Sequence, residues 1–275
     1  MYFITLSEMM GTNGEKIARQ TAEKLNYSFY GEDELMKSAS EMGFLKDVKE
    51  LGEKGPGLFE KFLSERPKIS LDRLQSVIFE VAKNGNAVFF GRGSQLLLRS
   101  FDCALHVLVM GSMERRIERV MEGEGHKIGR EIAEKMIHRS DQDKKGFLRF
   151  AFDEDWQNPQ LYDLILNTDK LGIDSAVKML LEAAGSKEIK VCGMDSVKNL
   201  AALSIHRKIE AAFLEAGVTN PNLFFDVEEI DSVRLFGIAR TMEEKDEIEN
   251  IAKGIKGIKK VKNDLTTFRG AAGGV

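Results

Sequence analysis

Short apolar runs alternate with longer amphipathic stretches along residues 1–185. The runs are typical of buried parallel strands, and the stretches repeat their apolar residues at helical spacing. The predicted strands are residues 2–6, the run ending at Tyr30, and residues 87–90, 104–110 and 162–168. The predicted helices are residues 15–25, about 70–83, about 112–121, about 130–145 and about 173–184. This order predicts an α/β fold, a parallel sheet covered by helices on both faces.

The pattern changes after residue 185. A predicted helix at 195–216 leads to two strands, a second helix and a last strand, at residues 223–227, 232–239, 241–253 and 258–268. Thr241, with Glu244 three residues later, indicates an N-terminal cap for the second helix. We therefore predict a first domain at 1–185 that is able to fold alone, a linker at 186–194, a small α+β (αββαβ) domain at 195–268 and a flexible tail at 269–275.

The first predicted strand ends in a glycine loop that leads directly into a helix. Gly11, Thr12, Asn13 and Gly14 form this loop, and Lys16 follows it. Such a turn points backbone N–H groups and the positive end of the helix at one place, a geometry that binds phosphate. The full P-loop pattern is missing, and many strand–helix turns contain glycine and bind nothing. Phosphate binding and a plain turn both remain open at this point.

A second glycine break follows the strand at 87–90. Arg92 lies there between Gly91 and Gly93. Ligands of open α/β sheets bind at the carboxyl ends of strands, where an arginine can present a planar fork to a phosphate or carboxylate. A surface arginine in a turn explains the sequence equally well. If the site is real, Gly14 and Arg92 should face one cleft from the ends of neighbouring strands.

Two later helices carry further basic residues. Arg115 and Arg116 lie on the first, and Arg139 and Lys144 lie near the charged end of the second. These residues either neutralise phosphate, with the second helix closing as a flap, or form solvated basic faces. Residues 31–66, with a Gly-Pro-Gly break at 55–57, are either a mobile insertion over a substrate or a connection, and residues 123–126 resemble a hinge.

Composition narrows the function classes. A length of 275 residues with 43% hydrophobic and 31% charged residues is typical of a soluble globular protein of two domains. The net charge of −4 argues against general nucleic-acid binding. The start of the chain lacks the features of a signal peptide, and a cytoplasmic location is expected. His106 and Cys103 are expected to be core residues, and neither a disulfide framework nor a metal site is predicted from Cys103 and Cys192.

The ordered motifs resemble those of the cytidylate kinase-like branch of P-loop nucleoside monophosphate kinases. The likeness covers roughly residues 1–185, and residues 195–268 resemble a BON domain. The kinase motifs are Ile4-Thr5-Leu6-Ser7, Gly11-Thr12-Asn13-Gly14, Phe89-Phe90-Gly91-Arg92-Gly93, Leu105-His106-Val107, Arg115-Arg116-Ile117, Asp141 with Lys144 and Phe147, Asp155-Trp156 and the run from Tyr162 to Thr168. The BON motifs are Phe236-Gly237, the helix from Thr241 and the run from Gly257 to Leu265.

The kinase resemblance implies transfer of a phosphoryl group from ATP, with Mg²⁺, to CMP or dCMP, a reaction that depends on positioning and charge neutralisation. It implies that the donor phosphates are bound at the loop and the acceptor phosphate at Arg92, and that basic residues offset charge on the transferred group. These residues are Gly11, Thr12, Asn13, Gly14 and Lys16 for the donor, and Arg115, Arg116, Arg139 and Lys144 for transfer. The BON resemblance implies a protein or phospholipid partner for residues 195–268.

The chain departs from the family pattern mainly on the donor side. Relatives usually have arginine where Glu8 stands, and a small residue where Asn13 stands. Lys144 replaces an expected arginine and lacks its bidentate fork. Two hypotheses follow from these departures. The first is an active nucleotide kinase, and the second is a nucleotide-binding or sensing module that has lost transfer and docks a partner through its BON-like domain.

Overall fold

In the computed structural model, the described residues are 2–51, 66–123, 128–189 and 191–267. The predicted break at 55–57, residues 124–126 of the hinge-like stretch and the predicted tail at 269–275 lie outside them. The strands are β1 (Phe3–Glu8), β2 (Ser28–Tyr30), β3 (Ala87–Phe90), β4 (Ala104–Met110), β5 (Leu164–Asn167), β6 (Leu223–Glu229), β7 (Ser232–Ala239) and β8 (Lys260–Thr267). The helices are α1 (Gly14–Leu25), α2 (Glu32–Glu41), α3 (Leu45–Leu51), α4 (Arg66–Ala82), α5 (Ser94–Leu97), α6 (Met113–Met121), α7 (Arg130–Phe152), α8 (Ile173–Ala184), α9 (Met194–Glu215) and α10 (Met242–Lys253).

The central strand β1 organises the first sheet. The described strands of this sheet lie in the order β2-β3-β1-β4-β5, and all of the pairs are parallel. Alternate residues of β1 point to two separate cores, with Phe3 on one face and Ile4 and Leu6 on the other. Both faces are buried, as a parallel sheet between helices requires. The α/β architecture predicted from the alternating pattern is confirmed.

The register places the two glycine breaks side by side. Leu6 pairs with Phe90, so the chain leaves β1 and β3 at the same edge of the sheet. Gly91 donates its N–H to the Leu6 carbonyl at 3.0 Å, which continues the ladder into the second break. The carboxyl ends of β1 and β3 are therefore neighbours, as the sequence led us to expect.

The C-terminal elements form a second, smaller sheet. Its described strands lie in the order β6-β7-β8, with β6 antiparallel and β8 parallel to β7. The helix α10 begins at a Thr241 cap, because the Thr241 hydroxyl accepts the Glu244 N–H at 3.1 Å and Glu244 in turn accepts the Arg240 N–H. The predicted αββαβ order is confirmed.

The long helix α9 packs on both domains. Leu200 belongs to the core of the first domain, whereas Ile209 and Phe213 belong to the core of the C-terminal domain. The contact with α4 also has polar bonds, since the Ser204 hydroxyl reaches the Ser76 carbonyl at 3.2 Å and Glu80 at 2.8 Å. The helix α9 therefore has apolar residues on two sides, and each side is buried against a different domain.

The cysteines correct one sequence expectation. Cys103 is a buried core residue, as predicted. It also forms a disulfide with Cys192, a bond that was not predicted from the sequence. The bond joins residues 89 apart in sequence, with their Cα atoms 5.2 Å apart, and ties the start of β4 to the segment before α9. Spacing along the chain carries no information on such a pairing, because the fold alone brings the two residues together.

His106 is a core residue, as expected. Its Nδ1 lies 2.8 Å from the Thr5 hydroxyl inside the sheet, and burial lowers the pKa of His106. Among the described helices, none is long and apolar enough to cross a membrane.

Candidate active site

The glycine loop after β1 has the conformation that its sequence suggests. Gly11 has a φ of +88°, and a Cβ on it would lie 2.7 Å from the Arg116 carbonyl oxygen. Asn13 has a φ of 60°, a left-handed conformation that asparagine tolerates better than most residues. The side chain of Asn13 is therefore compatible with a tight turn into α1.

The carboxylate of Glu8 occupies the mouth of this loop. Its Oε2 accepts the Gly14 N–H at 2.6 Å and lies 3.4 Å from the Thr12 hydroxyl. A Cβ on Gly14 would lie 2.5 Å from the Glu8 Cβ, so only glycine leaves room for this contact. The loop does direct a backbone N–H at an anion, and the anion here belongs to the protein itself.

Arg92 lies in an unusual turn. Gly91, Arg92 and Gly93 have φ values of 72°, 58° and 72°, three left-handed residues in succession. A residue other than glycine or asparagine rarely adopts this conformation, and such strain concentrates at functional sites. The turn directs the side chain inward, where only 2% of its surface is exposed.

One end of the buried Arg92 guanidinium is paired and the other is not. Its Nη2 lies 3.0 Å from the carboxylate of Glu32, an α2 side chain that is 63% exposed. Its Nη1 is buried and, within the described part of the chain, lacks a hydrogen-bond partner. Arginine buried only as a structural ion pair would use both ends of the fork, so a donor is left for another acceptor.

Glu8 and Arg92 line the same small cavity. Its volume is about 30 Å³, room for a single water, and Lys144 and Trp156 also line it. Gly91 and Gly93 of the second glycine break also line it, whereas residues 11–14 are not among its described lining residues, so a cleft shared by Gly14 and Arg92 stays a prediction. A nucleotide needs far more space, so binding requires the cleft to widen.

Arg116 and Lys144 hold the loop against α7. Arg116 donates from Nε to the Met10 carbonyl at 2.7 Å and forms a two-pronged contact with Asp141 at 2.7 and 3.0 Å. Lys144 donates to the Glu8 carbonyl at 2.5 Å and lies 5.8 Å from the centre of the Trp156 ring. The two cations therefore fix the backbone just before the glycine loop.

The other predicted site residues lie at the surface. Arg115 pairs with Glu118 at 2.8 Å, and Arg139 is 72% exposed and lies 3.9 Å from Asp143. Lys16 is also exposed on α1. None of the three lines the small cavity among its described residues.

Several contacts at the site were not anticipated. Arg119 donates from Nη1 to the Thr168 hydroxyl at 3.0 Å and lies 3.4 Å from the Gly11 carbonyl, which joins α6 to the loop. In the sequence, the only indication that Arg119 belongs near the site was its position four residues after Arg115, on the same face of the helix. Glu32 is an ordinary acidic residue of a polar helix, and although Asp141 belongs to a motif of the family resemblance, neither residue was predicted as a partner of Arg92 or Arg116.

The chain is similar to known proteins in sequence and in fold. Residues 3–170 match the cytidylate kinase-like family and residues 203–267 match the BON domain. A cytidylate kinase of Archaeoglobus fulgidus is 27% identical over 191 residues, which cover 68% of this chain and 97% of that protein. A solved structure from Eubacterium ventriosum superposes with a TM-score of 0.55 at 21% identity, over 68% of this chain and 100% of its own. A shikimate kinase from Bacteroides thetaiotaomicron has a TM-score of 0.43 at 17% identity, over 66% and 97%.

Proposed function

Because the chain belongs to the cytidylate kinase-like family, we propose that it transfers a phosphoryl group from ATP to CMP or dCMP. The observation that carries this proposal is the buried Arg92 guanidinium. Its Nη1 lacks a partner in the described structure, and Arg92 lines the same cavity as Glu8. A phosphate of the acceptor would accept a charge-assisted hydrogen bond there.

On the donor side, Glu8 and a phosphate compete for one place. The Gly14 N–H already binds the Glu8 carboxylate at 2.6 Å, and two anions repel each other at such a distance. ATP would therefore bind only when Glu8 turns away from the loop or when its charge is neutralised. We assign Gly11, Thr12, Asn13 and Gly14 to the donor phosphates on this condition.

The residues at the loop fit a magnesium ion held mainly by substrate. The described residues contain no group of three acidic, histidine or cysteine side chains that would form an all-protein site. Magnesium is commonly held by one or two carboxylates together with substrate phosphates, and Glu8 is the carboxylate at the loop. When bound, the ion neutralises charge on the phosphates.

The basic residues divide by position. Lys144 lines the small cavity and would shift from the Glu8 carbonyl to the transferred group, whereas Arg116 keeps the loop in place through Met10 and Asp141. Arg115, Arg139 and Lys16 take part only if their helices close over bound nucleotide.

The test is ADP release from ATP in the presence of CMP, dCMP, UMP or AMP. We expect CMP and dCMP to stimulate turnover. Arg92→Ala should raise the acceptor KM at least tenfold, because a buried phosphate partner is lost. Arg149→Ala, an exposed arginine 3.3 Å from Asp153, is the matched control and should behave as wild type. If no monophosphate stimulates turnover, phosphoryl transfer to nucleotides is refuted.

A second function is favoured by one observation, the carboxylate of Glu8 in the loop. An internal anion at this place suits a module that binds or senses nucleotide without transferring phosphate, and that docks a protein or phospholipid partner through its BON domain at residues 203–267. Nucleotide binding without turnover in the same assay would support it. The cytoplasmic location stays a prediction.

A further inference from the structure

A second, larger cavity lies between the two domains. Its volume is about 640 Å³, within the usual range of small-molecule sites. Its walls come from α4, α5 and the end of α7 on one side and from α9 on the other. We call it the interdomain cavity, and its apolar lining includes Leu71, Phe79, Leu96, Phe152 and Leu203.

The interdomain cavity is separate from the cavity at Arg92. Among the described residues, the two share no lining side chain. The Phe152 ring stands between them, close enough to Gly93 that a Cβ there would lie 2.4 Å from it. Phe152 also meets Phe147, a lining residue of the Arg92 cavity, edge-on at 6.5 Å.

Three side chains that line the interdomain cavity each have one buried polar atom without a hydrogen-bond partner in the described structure. These atoms are Asp72 Oδ2, Gln75 Oε1 and Arg207 Nε. Asp72 and Gln75 are only 2% and 4% exposed. Native proteins pair nearly all such atoms, since an unpaired buried group is costly. A ligand that completes these bonds would explain why three side chains with an unpartnered atom line one cavity.

The remaining atoms of these side chains are already fixed. Arg207 Nη1 donates to Asp72 Oδ1 at 3.4 Å and to Glu210 Oε2 at 2.5 Å. This contact orients the guanidinium and the carboxylate together and leaves one atom of each for a ligand. Asp72 and Gln75 lie one turn apart on α4, so their acceptor atoms lie on one face of the helix.

The unpartnered donor and acceptor atoms indicate which hydrogen-bonding groups a ligand must carry. Two acceptors on α4 require at least two N–H donors, and the Arg207 donor on α9 requires an acceptor. A planar ring bearing an amino group next to a ring nitrogen or carbonyl supplies both, and the aromatic walls suit its faces. We infer that the interdomain cavity is a binding site for amino-bearing nucleobases, namely cytosine, adenine or guanine, which the two domains recognise jointly.

Uracil is the informative exception. It offers one N–H between two carbonyl groups, so at least one of the Asp72 and Gln75 oxygens would face another acceptor. Sites built to hydrogen-bond a donor reject analogues that lack it. The site does not depend on the proposed phosphoryl transfer, because neither Arg92 nor the glycine loop contributes to it.

The test titrates the full chain with cytidine, adenosine, guanosine and uridine by calorimetry. Nucleosides lack the phosphate that Arg92 is proposed to bind, and loss of binding in variants of Asp72 and Gln75, which line only the interdomain cavity, assigns the binding to that cavity and not to the nucleotide site. We expect at least one amino-bearing nucleoside to bind at least tenfold more tightly than uridine. Gln75→Leu and Asp72→Leu should each weaken that binding at least tenfold, and Asp72→Asn, which keeps one acceptor, should weaken it less. Arg149→Ala should bind as wild type.

Controls keep the outcomes distinct. Thermal melting shows whether each variant is folded, and Asp72→Asn tests the site even where Asp72→Leu does not fold. Arg92→Ala should retain nucleoside binding even though it impairs transfer, so failure of one proposal leaves the other standing. The inference is overturned if no nucleoside binds at millimolar concentration, as for a water-filled cavity, if uridine binds equally well, or if both leucine variants bind as wild type.

Discussion

At the scale of single residues, the site is defined by two charged side chains in places where their charge is hard to accommodate. Glu8 puts a carboxylate against a loop suited to phosphate, and Arg92 puts a guanidinium inside the protein with one donor unused in the described structure. Both arrangements depend on glycine, since Gly14 makes room for Glu8 and Gly91 and Gly93 flank the left-handed Arg92.

Removing the charge of Glu8 should strengthen nucleotide binding. Glu8→Gln keeps an acceptor for the Gly14 N–H but no longer repels phosphate, so we expect the Kd for ATP to fall at least tenfold, which is about 1.4 kcal/mol. Fluorescence or calorimetric titration measures it. Glu15→Gln, on the exposed first turn of α1, is the matched control. The gain is expected without Mg²⁺, where equal or weaker binding would contradict it, whereas with Mg²⁺ weaker binding by Glu8→Gln would support Glu8 as the proposed metal-binding carboxylate.

The buried carboxylate of Asp72 should make stability depend on pH. Burial raises the pKa of Asp72 from 3.8 to about 6, against the opposing effect of nearby cations. The charged groups that face it are Arg207, Glu210 and His206 on α9 and Lys68 on α4. The folded state binds this proton more tightly than the unfolded state. The associated stability is therefore fully present below pH 4 and is lost as the pH rises through about 6.

The expected size of this effect is up to about 3 kcal/mol between pH 4 and pH 8. Urea denaturation of wild type and Asp72→Asn at several pH values measures it. The variant should lack this component of the pH dependence and should be at least as stable as wild type at pH 8. Equal pH profiles for the two proteins would contradict the assignment.

At the scale of elements, α9 is the helix whose packing matters most for the arrangement of the molecule. It contributes Leu200 to one core and Ile209 to the other, and its Ser204 hydroxyl is buried against α4. Lys208 adds an ion pair to Glu80 at 3.2 Å. The helix therefore links the domains through both apolar burial and satisfied polar groups.

Truncating one side chain of this contact should destabilise the whole chain. Leu200 is fully buried, and Leu200→Ala should lower the free energy of unfolding by about 2–5 kcal/mol through lost burial and the resulting cavity. Met194→Ala, at a position of α9 that is 79% exposed, is the control and should change it by less than about 0.5 kcal/mol. A loss below about 1 kcal/mol for Leu200→Ala would mean that α9 does not pack firmly on α4.

At the scale of the molecule, the two sheets are separate but their stabilities are expected to be coupled. The Cys103–Cys192 disulfide and the α4–α9 contact both join the first domain to the segment that begins the second. The proposed boundary at 186–194 thus divides the sheets and leaves α9 common to the packing of both.

Truncation after Gly185 tests this coupling. Residues 1–185 contain the complete first sheet, so we expect the fragment to fold, but with a lower melting temperature, because the loss of α9 exposes the α4 face around Ser76 and Glu80. The full chain should melt in one cooperative transition. Calorimetry measures both, and two well-separated transitions in the full chain would contradict the coupling.

The sequence alone predicted the strands, most of the longer helices, the order of the two domains and the edge of the sheet where the candidate site lies. These features follow from local information, because apolar periodicity reports burial and glycine reports left-handed turns such as the one at Arg92. The Thr241 cap was also predicted from local sequence, because Glu244 follows Thr241 by three residues.

Tertiary structure decided which charges meet. Folding alone brings several pairs of residues together. They are Glu8 with Gly14, Arg92 with Glu32, Arg116 with Asp141 and Cys103 with Cys192. Folding also places Asp72, Gln75 and Arg207 around one cavity. The physical reason is that a polar side chain has little preference of its own for where it lies. Its partner is set by the apolar packing that positions the backbone.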